Sequence, residues 1–109
     1  MHEGEIPPGT LYLLILKTLA RGAEMHGYEI ANSIQQISDE VLQVEEGSLY
    51  PALQRMLIKG WVTAKWGATA ENRRARYYRL TPSGWRQLEV EVSQFQRVVE
   101  AITRVLQTA

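Results

Sequence analysis

Six apolar residues near the C-terminus constrain the fold more than any other feature of the chain. Leu88, Val92, Phe95, Val99, Ile102 and Leu106 follow one another at alternating steps of four and three. That spacing is a heptad seam along one helix, broadened by Val98 and Val105. Thr81-Pro82 marks its start, with Thr81 as cap and Pro82 at the first helical position, where its missing N–H is not needed. A long terminal helix with such a stripe has more apolar surface than it can leave in water. It predicts a partner helix, and a second copy of the chain is the simplest source. Folding back over the first helix of the same chain satisfies only part of it. Residues 82–109 are therefore expected to be a C-terminal dimerisation helix.

The rest of the chain must then supply one small domain. At 109 residues, 45% of them hydrophobic, a folded core is expected and disorder is confined to the ends. Residues 1–8 read as a flexible N-terminal arm. There is no cysteine, and His2 and His26 are far apart, so disulfides and a metal site are not expected. The longest apolar run, Leu11 to Leu16, is far too short to span a bilayer. Glu3 and Glu5 at the N-terminus do not resemble a secretion signal. A soluble, cytoplasmic protein without membrane contact follows. His26 has no nucleophile or paired carboxylate implied around it, and the chain carries no phosphate loop. No catalytic residue, cofactor or metal is expected, and the chain does not read as an enzyme.

The first helix runs from the Pro7-Pro8-Gly9-Thr10 start signal to Arg21, with Gly22 as its stop. Leu11 to Ala20 is apolar nearly all the way round. Such a helix is either covered within its own domain or packed partly against another subunit. A second helix spans Tyr28 to Ile37, with Ile30, Ile34 and Ile37 inward and His26 at its entrance. A link from Ser38 to Glu46 follows, in which Leu42 and Val44 are spaced like a short strand.

The third helix lies between Gly47 or Ser48 as cap and Gly60 as stop. Leu49, Leu53, Met56 and Leu57 form its apolar stripe. Ser48, Pro51, Arg55 and Lys59 lie nearly opposite, with Gln54 at the edge and Tyr50 on the boundary. Then the period changes. Trp61 to Trp66 and Arg76 to Leu80 alternate like strands, around a small, polar and basic stretch from Gly67 to Ala75. This makes a β-hairpin with an Arg-bearing tip. A helix with a dry back and a polar, basic front, followed by such a hairpin, outlines a winged helix-turn-helix over residues 9–81.

A net charge of zero conceals strong segregation. Residues 1–47 hold two basic side chains against eight acids; residues 48–80 hold seven against Glu71 alone. The basic middle segment suggests a localised polyanion-binding surface. Arginines at a hairpin tip also keep a sheet edge soluble, but beside a basic-faced helix they favour DNA.

Three ordered blocks carry a family resemblance: His26-Gly27-Tyr28-Glu29-Ile30; Gly47 to Leu53 with Gly60-Trp61-Val62; and Arg76-Tyr77-Tyr78-Arg79-Leu80-Thr81 with Gly84. Together they strongly resemble the PadR-like transcriptional regulators, over residues 9 to about 107. The resemblance implies a mainly α fold with a small β-hairpin, and a homodimeric repressor of the compact branch, with one helix after the wing. It places Ser48, Tyr50, Pro51, Gln54 and Arg55 on a recognition helix and Lys65, Arg73, Arg74 and Arg76 on a wing. Tyr28 supports that geometry or touches the DNA backbone. The same resemblance implies dimer contacts through Leu13, Leu16, Leu88, Val92, Phe95, Val99, Ile102 and Leu106. Some compact relatives hold a planar aromatic or other apolar effector between subunits; the matching positions are Leu13, Phe95 and Val99, which are otherwise plain interface core.

The expected function is a homodimeric transcriptional repressor that binds a near-palindrome in double-stranded DNA and is released by a small aromatic effector. The alternative is a winged-helix module for protein–protein assembly. That reading requires an apolar front on the third helix and wing, where this chain has arginines and small polar groups.

Overall fold

The computed structural model describes residue 6 and residues 9–22 and 24–108. Most of the arm at residues 1–8, with the Pro7-Pro8 start signal, lies outside the described residues. The elements run α1 (Leu11–Arg21), β1 (Met25–His26), α2 (Gly27–Ile37), α3 (Glu46–Ile58), β2 (Val62–Ala68), β3 (Arg74–Leu80) and α4 (Pro82–Leu106). The fold is mainly α with a small antiparallel sheet ordered β1-β3-β2. No helix among the described residues is long and apolar enough to cross a membrane.

Local chemistry explains most boundaries. α1 closes where the Gly22 N–H bonds the Thr18 carbonyl. α2 opens on a reciprocal capping box: the Glu29 N–H donates to His26 Nδ1 at 3.4 Å, and the His26 N–H donates to Glu29 Oε1 at 3.0 Å. His26 is thus a polar residue at a helix entrance. α3 ends at Gly60, in the left-handed region with φ 78°. There the Trp61 N–H reaches back to the Met56 carbonyl and the Gly60 N–H to that of Leu57. Thr81 caps α4 by accepting from the Gly84 N–H at 3.0 Å.

Several expectations need correction, beginning with Ile37, which is exposed at 60% at the end of α2 rather than turned inward. α3 starts earlier than either expected cap: Glu45 holds the extended N-cap position, and Gly47 and Ser48 sit in the first turn. The Leu42–Val44 segment forms only a single bridge, at Gln43, and is not one of the three strands of the sheet. Side chains shape it instead, with the Leu42 N–H on Ser38 Oγ and the Val44 N–H on Gln35 Oε1. The hairpin strands extend further than expected, leaving only residues 69–73 as the tip. The third strand is β1, whose Met25 and His26 pair with Tyr78 and Tyr77.

The core lies where α1, α2, α3 and the sheet meet. Ile15, Leu16, Leu19, Ile30, Ile34, Leu49, Leu53, Met56, Val62, Tyr78 and Leu80 fill it, and Leu88 of α4 closes it. Two expected dimer contacts are therefore reassigned. Leu16 has no exposed surface in the single chain and Leu88 is buried, so both belong to the protomer's own core. The start of α4 is stitched to the turn after α3. Thr81 Oγ1 donates to the Gly60 carbonyl at 2.6 Å, and the Thr81 N–H donates to that of Trp61 at 3.0 Å. Gly84 is required there, because a Cβ would overlap the Trp61 carbonyl oxygen. Beyond this anchor α4 runs out of the domain, and the molecule measures 57 × 30 × 21 Å.

Candidate nucleic-acid interface

Burial of Leu49, Ala52, Leu53 and Met56 sets the rotation of α3. At 100° per residue, Gly47, Pro51, Gln54 and Ile58 then stand most nearly opposite the core, and all four are exposed. Pro51 has no N–H, so the Gly47 carbonyl on this front lacks its usual donor one turn on. Ser48 and Arg55 are exposed on the flank toward α1, and Tyr50 leans the other way, toward α2. The Tyr50 ring lies so close over Gly27 that a Cβ there would come within 2.8 Å of its hydroxyl. Gly27 is thus what lets α2 and α3 approach. Tyr28, one residue on, is fully accessible at 71% exposure.

Arg55 is held rather than free. Its Nε donates to the Tyr12 hydroxyl at 2.6 Å, and its guanidinium lies 5.7 Å from the centre of the Tyr12 ring. Tyr12 packs edge-on against Trp61, over which Lys59 places its ammonium at 5.2 Å. Two cations of α3 are therefore fastened along the α1 side. Sequence reasoning missed Tyr12, because it sits in a run of leucines and reads as core.

The wing has two different faces. β2 and β3 pair Val62 with Leu80, Ala64 with Tyr78, Trp66 with Arg76 and Ala68 with Arg74. These share one face, buried at Val62, Tyr78 and Leu80 and opening outward to Trp66, Arg76 and Arg74. On the other face Tyr77 covers Gly67 and donates its hydroxyl to the Ala68 carbonyl at 3.1 Å. Lys65 is also on that face, and its ammonium meets Glu24 at 3.2 Å, so its charge is partly spent inside the protein. The tip closes through the Thr69 N–H on the Arg73 carbonyl and the Arg73 N–H on Thr69 Oγ1. Asn72 takes the left-handed position there, φ 63°, a conformation its short polar side chain tolerates.

Tyr78 joins the two halves of the surface. Burial pushes its phenol above the usual 10.0, Arg76 nearby pulls it back, and Tyr50 adds to the upward push. The structure thus brings Tyr50 of α3 and Arg76 of the wing to the same buried phenol. Among the described residues, Arg55, Arg73, Arg74 and Arg76 have no carboxylate within 4.0 Å. The centre of the α3 front is Gly47, Pro51, Gln54 and Ile58, and its cations stand on the α1 flank and the wing. Ile58, Tyr28, Tyr50 and Trp66 are exposed apolar or aromatic side chains of the same surface. The expected effector residues lie elsewhere: Phe95 and Val99 are about four-tenths exposed on the outer part of α4, and Leu13 is half-buried on α1.

Comparison with known proteins agrees with this fold. A family model described as the transcriptional regulator PadR-like family matches residues 15–90. A solved transcriptional regulator from Clostridium thermocellum is 28% identical, with a TM-score of 0.80 over 88% of this chain and 92% of that one. A PadR-like transcriptional regulator from Bacillus cereus is 28% identical, with a TM-score of 0.76 over 93% and 95%. A PadR family transcriptional regulator from Eggerthella lenta is 27% identical, with a TM-score of 0.76 over 93% and 85%.

Proposed function

The chain belongs to the PadR-like family of transcriptional regulators, and from that premise we propose that it is a cytoplasmic homodimeric repressor that occupies a near-palindromic operator. Two copies join along the outer seam of α4, and their two-fold symmetry sets two α3 helices toward successive major grooves, about 34–36 Å apart. Gln54, Ser48 and Arg55 face base edges and phosphates, with Pro51 letting the backbone approach. Tyr28 and Tyr50 offer hydroxyls to the DNA backbone, a contact that positions without specifying. Arg73, Arg74 and Arg76 follow the phosphates from the wing, and Lys65 joins them at the cost of its pair with Glu24. A planar aromatic or apolar molecule seated between copies against Leu13, Phe95 and Val99 would change the spacing of the two α3 helices and release the operator.

The observation that carries this reading is the set of exposed guanidinium groups on α3 and the wing that no carboxylate balances among the described residues. Footprinting on the DNA upstream of the protein's own gene tests it, with a gel shift of the R55A and R73A/R74A variants alongside. The expected result is a protected near-palindrome, binding that weakens steeply with salt, and loss of the shift in the variants with the dimer intact. A parent protein that protects nothing and shifts no duplex overturns it.

A further inference from the structure

We infer that Trp66 is a positioning residue for the wing's grip on DNA: its indole face holds the guanidinium groups of Arg74 and Arg76 where they meet backbone phosphates. The inference rests on the DNA-binding reading above and adds a residue to it. Trp66 is not part of the core. It is 58% exposed, on the stretch of the hairpin that has already left the helices. An apolar ring on a protruding hairpin is ordinarily a liability, so its neighbours must account for it. Arg76 is its direct cross-strand partner, and Arg74, two residues away on the same strand, shares the face. The Arg74 guanidinium carbon lies 4.3 Å from the Trp66 ring centre and that of Arg76 5.7 Å, both within cation–π range.

Two further observations point outward. Arg76 Nε is shut off from solvent and has no hydrogen-bond acceptor, so the donors left to this guanidinium are its terminal nitrogens. Neither arginine has a carboxylate within 4.0 Å among the described residues, whereas Lys65 on the opposite face has Glu24. The indole therefore keeps two like charges side by side without neutralising them. A phosphate, accepting from planar forks whose orientation is already set, is the anion such a pair fits. Stacking of a DNA base on the indole is disfavoured, because Arg74 already occupies the ring face.

The test uses the full chain with two probes: a random-sequence duplex of about thirty base pairs, roughly three helical turns, and the duplex protected in the footprint. W66A and W66L are expected to weaken binding about three- to tenfold on both, with a salt slope smaller by about one to two phosphates. W66F, which keeps a π face, stays within about twofold of the parent. W66L separates bulk from the π face even where W66A loosens the hairpin. Parent-like binding by W66L means that bulk alone matters and overturns the inference. So does a loss confined to the protected duplex, which would make the indole a base reader. Both outcomes leave the DNA-binding reading standing; a parent protein that binds neither duplex ends both.

Discussion

The first and last helices carry a similar excess of apolar side chains and resolve it in opposite ways. α1 sinks into the domain: Ile15, Leu16 and Leu19 are buried, and Leu11 to Leu14 are half-buried against the same core. α4 does so only over its first turns, where Gly84 and Leu88 are buried. From Phe95 onward its seam stands open, with Ile102 at 53% and Leu106 at 78% exposure. Apolar content alone therefore does not mark an interface. What decides is whether the fold supplies neighbours. α1 has α2, α3, β3 and the base of α4 around it, while the far half of α4 has left them all behind. The apolar surface of α1 stabilises the protomer, and that of distal α4 is uncovered in the single chain, where the proposal above sets a second copy.

The sharpest way to break this contrast is to replace one aliphatic side chain in each place. L16A leaves a cavity in a core with no exposed route to relax, and should cost about 2–5 kcal/mol of unfolding free energy. Denaturant titration should give the same loss at every protein concentration. A loss that fades on dilution would put Leu16 at an interface after all.

I102D is the counterpart. A carboxylate placed in the seam should weaken self-association at least tenfold, about 1.4 kcal/mol, as read by sedimentation equilibrium. The monomeric head should keep its ellipticity. If I102D remains associated like the parent, distal α4 is not the contact and the contrast fails.

T81A tests the joint between the two regimes. It removes the cap of α4 and the bond to the Gly60 carbonyl, and should lower stability by about 1 kcal/mol. The proximal turns should fray while the seam itself is untouched. A change in association larger than the change in melting temperature would show that the two parts of α4 are not separable.

The same contrast explains what was legible in the residue pattern. Gly22, Gly60 and Thr81-Pro82 announce their boundaries because each satisfies orphan backbone groups locally, with no help from the rest of the fold. β1 was illegible because two residues carry no periodicity; its pairing to Tyr77 and Tyr78 is a tertiary event. The start of α3 was misplaced because Glu45 takes the cap position through its extended backbone rather than through a side-chain bond. Arg55 and Lys59 look like a free front on a helical wheel, yet Tyr12, distant in sequence, holds Arg55, and Trp61, which Tyr12 meets edge-on, holds Lys59. Trp66 reads as a good strand former, and only the register that sets it against Arg76 shows its other role.

The smallest expected effect separates head from tail by chemistry rather than by truncation. The Tyr78 phenol has its pKa raised above 10.0, chiefly by burial, so the folded head holds this proton more tightly than the unfolded chain. Its contribution to stability is fully present below about pH 10 and falls as pH rises from there through the folded value. α4 from Pro82 to Leu106 contains no lysine, tyrosine or histidine, so no side chain along its seam titrates near that pH. Melting temperature should therefore decline on the alkaline side of pH 10, and Y78F should flatten that limb. Self-association measured up to pH 10, where the head is still folded, should stay level in both proteins. An alkaline limb that Y78F leaves unchanged would place the sensitive group elsewhere in the head. An association constant that falls in step with it would mean that the seam of α4 and the core beneath α1 act as one unit.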